Sequence, residues 1–302
     1  MHQFHLYQHI LLSSCCPHQL TNLDTHDIKE QIKKNHAFGA RWTSELELQP
    51  YGVEVNQNTD FKTTPSFESG GVNSEWWYCL KDSPIEIESL TAKQRYRIKK
   101  GTKNNTIRIL NKEEGEIYLE SLADLAIASF SNYPKAYRPK TDKNAIVQAL
   151  KTNLYKDDCD LWVATDNESG SLTGYAICQR VENMVQLWVV KTNPKFLKNE
   201  INAGLAYTIT YHYLNEMGLW YVCDGERNIR HATNYQEFLV RVLDYRYAYC
   251  KLNVVYHPVV KPFISLLYLM RGLIKRIKNI NPLFYNLHCL LKQEEIARTF
   301  RK

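Results

Sequence analysis

The chain has 302 residues, 44% apolar and 23% charged, enough for one large domain or two modest ones and ordinary for a globular protein. Its net charge of +6 is uneven: residues 258–302 hold nine Lys/Arg against Glu294 and Glu295, a net +7, leaving −1 for the rest. A basic tail on a near-neutral body argues against a DNA-binding core, whose footprint covers a face of the folded domain.

The N-terminal stretch MHQFHLYQHILLSSCCPH lacks the basic start and unbroken apolar run of a signal peptide. Its His2, His5, His9, Cys15, Cys16 and His18 match no metal-ligand spacing, so it reads as an edge strand and loop and no metal is expected. The eight cysteines include no CxxC pair, and several sit in apolar runs such as LWYVC, the usage of a reduced cytosolic protein with buried thiols. No segment reaches the roughly 18 uninterrupted apolar residues of a membrane span.

A first section runs to about residue 110. EWWYCLKD predicts a strand over 75–80, and DSP a turn at 82–84. A helix follows from about Leu90 to Gly101, capped by Ser89 or Thr91. Six basic residues between Lys93 and Lys103 surround that helix, either as a solvated face or as a grip on a phosphorylated substrate.

The second section, 111–257, carries the clearest periodicity. Apolar residues at 119, 122, 123, 126, 127 and 130 predict a helix, and Thr141 caps another that ends at Leu154. Strands 160–165 and 172–180 are joined by the turn formers DNESGS, and MVQLWVV (184–190) is a third strand. A helix begins near Glu200 and ends before Gly218, then come strand 219–223 (LWYVC), a polar turn, a helix over 233–243, and an aromatic strand pair through YRYAYCKLNVVY. The order implies an α/β (α+β) fold with a mixed sheet, in which strands 184–190 and 219–223 run parallel as neighbours.

The polar turn DGERNIRHATN lies outside the carboxyl end of a parallel strand, where ligands bind in open α/β sheets. Asp224 and Glu226 are candidate catalytic bases and His231 a base or proton shuttle. Arg227, Arg230 and Asn234 are candidates to hold an anionic substrate, together with Trp76 and Trp77. The structural alternative makes Asp224-Gly225 a turn, Thr233 a helix cap and the arginines a solvated rim.

The third section, 258–302, is a basic helical tail. Phe263, Leu266, Leu267, Met270, Leu273 and Ile274 form a wide apolar stripe followed by Arg271, Lys275, Arg276 and Lys278. Such a helix lies on an anionic membrane surface, packs on its parent domain, or makes a dimer.

With MVQLWVV leading into a helix and LWYVC into a polar turn, residues 115–256 resemble the GNAT-type acyltransferase fold. EWWYCLKDSPIEIESLTAKQRYRIKKG, joined to the later YRYAYCKL, is similar to Fem-type transferases, which pair two such modules and acylate amines on cell-wall precursors. The resemblance allows two GNAT-like halves, with 1–110 a degenerate one. It implies that two parallel strands splay and that free backbone N–H groups in the gap bind an acyl donor's amide chain. The next helix start then receives the donor's phosphates. Val189, Val190, Lys191, Lys198, Asn202, Ala203 and Gly204 are the cofactor-binding residues it implies. The family's loop usually reads (Q/R)xxGx(G/A). Here KNEINA at 198–203 puts Ile201 at the glycine position, where a β-branched side chain would crowd a pyrophosphate. The family also often carries a general-acid Tyr on the helix after the polar turn. Phe238, Leu239 and Val242 occupy that face, leaving Tyr235, Tyr245, Tyr247 and Tyr249 as phenols.

The resemblance therefore implies a cytoplasmic acyltransferase, peripheral to the inner face of the membrane, acting on an amine or hydroxyl of a sugar or lipid-linked surface-glycan precursor. No cofactor is permanently bound; acyl-CoA is the implied co-substrate, with tRNA a partner only if the donor is aminoacyl. The alternative is a catalytically degenerate module that binds a glycan or partner protein.

Overall fold

Apolar runs with period-two alternation build two sheets, and 3.6-period runs build the helices that cover them. The computed structural model describes residues 4–7, 9–13, 23–44, 46, 74–132, 141–229 and 234–300. In chain order come β1 (Phe4–Tyr7), β2 (Ile10–Ser13), α1 (Thr25–Lys34), β3 (Gly39–Ser44), β4 (Trp77–Lys81), α2 (Ala92–Asn104) and β5 (Asn105–Ile109). There follow α3 (Lys112–Ser129), α4 (Lys143–Leu154), β6 (Cys159–Asp166), β7 (Leu172–Val181), β8 (Met184–Thr192), α5 (Ile201–Tyr211) and β9 (Tyr221–Glu226). The last are α6 (Asn234–Leu243), β10 (Arg246–Tyr249), β11 (Lys251–Tyr256), α7 (Val260–Leu269), α8 (Arg271–Ile277) and α9 (Pro282–Thr299).

The larger sheet has seven strands in the order β10-β4-β9-β8-β7-β6-β5. β8 and β9 are its parallel pair, as the crossover through α5 requires. One face is packed by α2, α5 and α6, through Ile98, Leu205, Ile209, Phe238 and Leu239. The other is packed by α3 and α4, through Leu119, Leu122, Leu150 and Leu154. The smaller sheet, β1-β2-β3-β11, is covered on one side by α1 and on the other by α9.

Three local expectations need correction. The run YRYAYCKLNVVY does not fold back on itself: β10 pairs with β4 in the large sheet, and β11 with β3 in the small one. Cys250 is the step between them, its N–H bonded to the Trp76 carbonyl at 3.0 Å and its own carbonyl accepting from Ser74 Oγ at 2.6 Å. The cap of α4 is Asp142 instead of Thr141, its carboxylate accepting from the N–H groups of Asn144 and Ala145. The helix expected over 119–130 starts at Lys112, about two turns before the apolar stripe begins, because Asn111 and Glu114 form a capping box there. Of the two caps expected for α2, Thr91 is used, also in a capping box, with Gln94.

α2 and α5 cross through glycines. A Cβ at Gly101 would stand 2.4 Å from the Glu200 carbonyl oxygen and 2.5 Å from Gly204 N, so two backbones touch where any side chain would part them. Cys79, Cys178, Cys223, Cys250 and Cys289 are buried free thiols. No helix among the described residues is long and apolar enough to cross a membrane.

Candidate functional site

β8 and β9 are in register only at Met184↔Tyr221, Val185↔Val222 and Gln186↔Cys223. Beyond these pairs the strands part. β8 continues against β7 as far as Thr192, and β9 continues against β4 through Gly225 and Glu226. Each strand carries a bulge at the point of parting. In β8, consecutive residues Ile177 and Cys178 of the partner face Val189 and Leu187, leaving Trp188 extra. In β9, Cys79 and Leu80 of the partner face Gly225 and Cys223, leaving Asp224 extra. A bulge kinks its strand and sharpens its twist, so one on each side drives the two ribbons apart. Gly225 supports the second bulge with φ 102°, a left-handed conformation that favours glycine. The lips of the gap are thus Trp188, which is 55% exposed, and Asp224.

Asp224 faces α6. Burial pushes its carboxyl up to about 7, and a hydrogen bond from the Gln236 amide offsets part of that shift. Gln236 is tied to the same end of β9, its Nε2 donating to the carbonyls of Gly225 (3.4 Å) and Glu226 (3.3 Å). The Tyr235 phenol and the Cys79 thiol are both raised, by burial first and by the charge of Asp224 second. Tyr235 stacks on Phe238 with ring centroids 5.7 Å apart. Tyr245 is spoken for by Thr210 Oγ1, 2.7 Å from its hydroxyl. An acid poised near neutrality beside a protonated phenol is a pairing suited to moving protons in both directions.

Glu226, two residues on, points to the opposite side of the strand. It pairs with Arg41 of β3, which lies over the Trp76 ring at 5.4 Å and also donates to Gln293 at 3.2 Å. Burial raises the Glu226 carboxyl, and the Arg41 guanidinium pulls it back. Arg227 lies over Trp77 at 4.4 Å and pairs with Glu75 at 3.2 Å. Trp76 itself is 1% exposed, and Trp77 stands half-buried against Tyr247 at 5.0 Å. Asn234 is exposed at the start of α6. Arg230, His231 and the Thr233 cap lie outside the described residues. The two acids expected in a polar turn after residue 223 lie instead within β9, and they are divided between two environments: Asp224 at the gap, and Glu226 with Arg227 at the seam between the sheets.

The residues expected to bind a donor are placed as follows. Val189 and Val190 pack on opposite faces of β8. The Lys191 ammonium lies 4.5 Å from the centroid of the Phe130 ring, its pKa lowered by burial. Asn202 accepts from Thr192 Oγ1 at 2.8 Å, and Lys198 is exposed. Ala203 is buried, and Gly204 abuts Gly101. The helix start is filled: Ile201 is 0% exposed, and Glu200, in the left-handed region with φ 57°, precedes it. The Glu200 carboxylate binds Arg97 at 2.7 Å, and its carbonyl accepts from the N–H groups of Ala203 and Gly204. The Glu200 side chain makes no cap hydrogen bond to this helix start.

A cavity of about 200 Å³, lined by Lys81, Ser83, Ile85, Leu243 and Asp244, lies at the other end of β4 from the gap. No group of three or more His, Cys, Asp or Glu among the described residues can hold a metal ion. Sequence reasoning did not find Trp188, Arg41 or Gln236. The bulge that presents Trp188 is set by strand register, and Arg41 reaches Glu226 across 185 residues of chain.

No protein-family model matches the sequence, and no curated protein matches it. Solved structures do. FemX superposes with a TM-score of 0.52 at 10% identity, over 80% of this chain and 77% of that one. The C-terminal domain of a putative lysylphosphatidylglycerol synthetase from Agrobacterium fabrum gives 0.47 at 10% identity, over 82% and 78%. The PaiA N-acetyltransferase of Thermoplasma acidophilum gives 0.30 at 19% identity, over 38% and 74%. The chain has a GNAT-type, Fem-like fold.

Proposed function

We propose that the protein is an acyltransferase that moves an acetyl or aminoacyl group onto an amine or hydroxyl of a sugar or of a lipid-linked surface-glycan precursor, working in the cytoplasm at the inner face of the membrane. The observation that carries this reading is the gap between β8 and β9 with Asp224 on its lip. A thread-like donor lies in the gap against the backbone amides that the strands no longer offer each other. The Asp224 carboxylate takes the proton of the attacking amine or hydroxyl as its lone pair adds to the acyl carbonyl. Backbone N–H groups on the parted edges stabilise the oxyanion. Collapse of the tetrahedral intermediate breaks the acyl–sulfur or acyl–oxygen bond, and the leaving thiolate or ribose oxygen takes a proton from the Tyr235 phenol as that phenol takes the one held by Asp224, so both groups end as they began. Transfer is direct, with no acyl-enzyme. Acyl-CoA enters as co-substrate, and tRNA only as the carrier of an aminoacyl group. His231, Arg230, Arg227 and Asn234 serve the acceptor side, His231 as a second base or shuttle.

The test is an acyl-transfer assay with acetyl-CoA, longer acyl-CoAs and aminoacyl-tRNA against amino-sugar and lipid-linked acceptors. Asp224→Asn is expected to lower kcat by roughly 10²- to 10⁴-fold. The wild-type rate should fall as pH drops below about 7, because the base works only when deprotonated. An unchanged rate in Asp224→Asn and His231→Ala removes both from the mechanism. A second reading, a module that binds a glycan or partner protein without chemistry, is favoured by the filled start of α5. Calorimetric silence with every acyl donor, alongside binding of a glycan, would establish it.

A further inference from the structure

The tail helices turn most of their apolar stripe outward. On α7, Ile264 is buried while Phe263, Leu266 and Leu269 are 63%, 61% and 76% exposed. The face continues through Met270 at the helix break, Leu273 on α8, and Ile280 and Leu283 beyond it. Val259 opens it at the other end. Within α7, Phe263, Leu266 and Leu269 recur at three-residue spacing, so they lie along one side of that helix. An apolar surface of this extent on a folded chain marks a place where something docks.

Charge says what docks. Residues 258–283 contain Lys261, Arg271, Lys275, Arg276 and Lys278 and no acidic residue. A second copy of the same face, brought up by a two-fold axis, would set these cations against their own kind. An anionic surface neutralises them while its hydrocarbon boundary takes the leucines. We propose that α7 and α8 form an interfacial anchor that seats the folded protein on an anionic lipid bilayer and presents its site to a lipid-borne acceptor. The acceptor half of this proposal rests on the acyltransferase reading; the anchor does not.

The anchor is wired to the rim of the site. Arg271 lies 3.6 Å from Glu295, Lys292 lies 3.1 Å from Glu295 and 2.9 Å from Glu75, and Glu75 lies 3.2 Å from Arg227. Arg271 and Arg298 also cover the Tyr268 ring from α8 and α9, at 4.3 and 3.8 Å. α9 therefore braces the anchor against the end of β9, on the flank where the polar turn emerges.

Vesicle flotation of the full chain tests the anchor. Wild type is expected to float with phosphatidylcholine mixed with phosphatidylglycerol, and far less with phosphatidylcholine alone. Leu266→Asp/Leu269→Asp, with its melting midpoint checked against wild type, should stay in the bottom fraction. Lys275→Glu should weaken binding about 5-fold or more, since each surface cation contributes about 1 kcal/mol at an anionic membrane. Wild type remaining at the bottom with anionic vesicles overturns the anchor. So does flotation of the Asp pair at wild-type level, or a dimer that the Asp pair dissolves without any flotation. The acceptor half is read separately: the Asp pair should spare transfer to a soluble acceptor and lose transfer to one embedded in vesicles. Flotation without acyl transfer to any acceptor upholds the anchor and overturns the catalytic reading alone.

Discussion

The gap between β8 and β9 and the start of α5 are neighbours along the chain, yet one is open and the other filled. At the gap, two bulges pull parallel strands apart, and their mutual pairing ends at Gln186↔Cys223. At the helix start, Ile201 fills the core and Glu200, its carboxylate held by Arg97, precedes it in the left-handed region. The first feature depends on backbone register, and the second on three side chains. A sheet can keep its opening while the sequence around the next helix changes, so the opening and the helix start are separable features.

The largest expected effect comes from the open side. Asp224→Asn should remove roughly 3–5 kcal/mol of transition-state stabilisation and abolish the acidic limb of the rate profile. The same substitution should stabilise the fold. The Asp224 carboxyl titrates near 7 when folded against an ordinary 3.8, so its contribution is full below the lower value, fades between the two, and is gone above. The melting midpoint of Asp224→Asn should thus exceed that of wild type at about pH 8 and converge on it in acid. A constant offset across pH would place the titration elsewhere.

On the filled side, Ile201→Ala should cost roughly 2–5 kcal/mol in urea unfolding, the range for emptying a core position. If instead it left stability intact and tightened acyl-CoA binding, the helix start would be a blocked phosphate site and not a piece of core. Gly101→Ala, whose added Cβ meets backbone of α5, should cost about 1–3 kcal/mol. Smallest is Lys198→Ala, within about 0.5 kcal/mol of wild type in stability. A several-fold rise in KM for a phosphorylated donor in that variant would show that exposed lysines have replaced the helix amides.

Much of the large sheet was legible in the sequence. Strands 160–165, 172–180 and 184–190 are short apolar runs bounded by turn formers, and each appears within a few residues of its expected limits. The parallel pairing followed from a strand–helix–strand run. The polar turn pointed to Asp224 because its position after a buried strand is a local fact. Less legible was the company each residue keeps. Asp224 and Glu226 look alike in sequence, but the β9 bulge turns one to α6 and hands the other to Arg41. The strand pair expected after Tyr245 is divided between two sheets because Ser74 and Trp76, far back in the chain, hold Cys250 at the step.

Periodicity and turn chemistry act over a few residues, and these alone determined the helices, the strands, the crossover and the basic amphipathic tail. Which strands part, which acid is driven toward neutrality, which glycines join two helices and which leucines stay outside are set by groups that meet only after folding. Burial and bulge register are properties of such meetings, so tertiary structure alone could decide them.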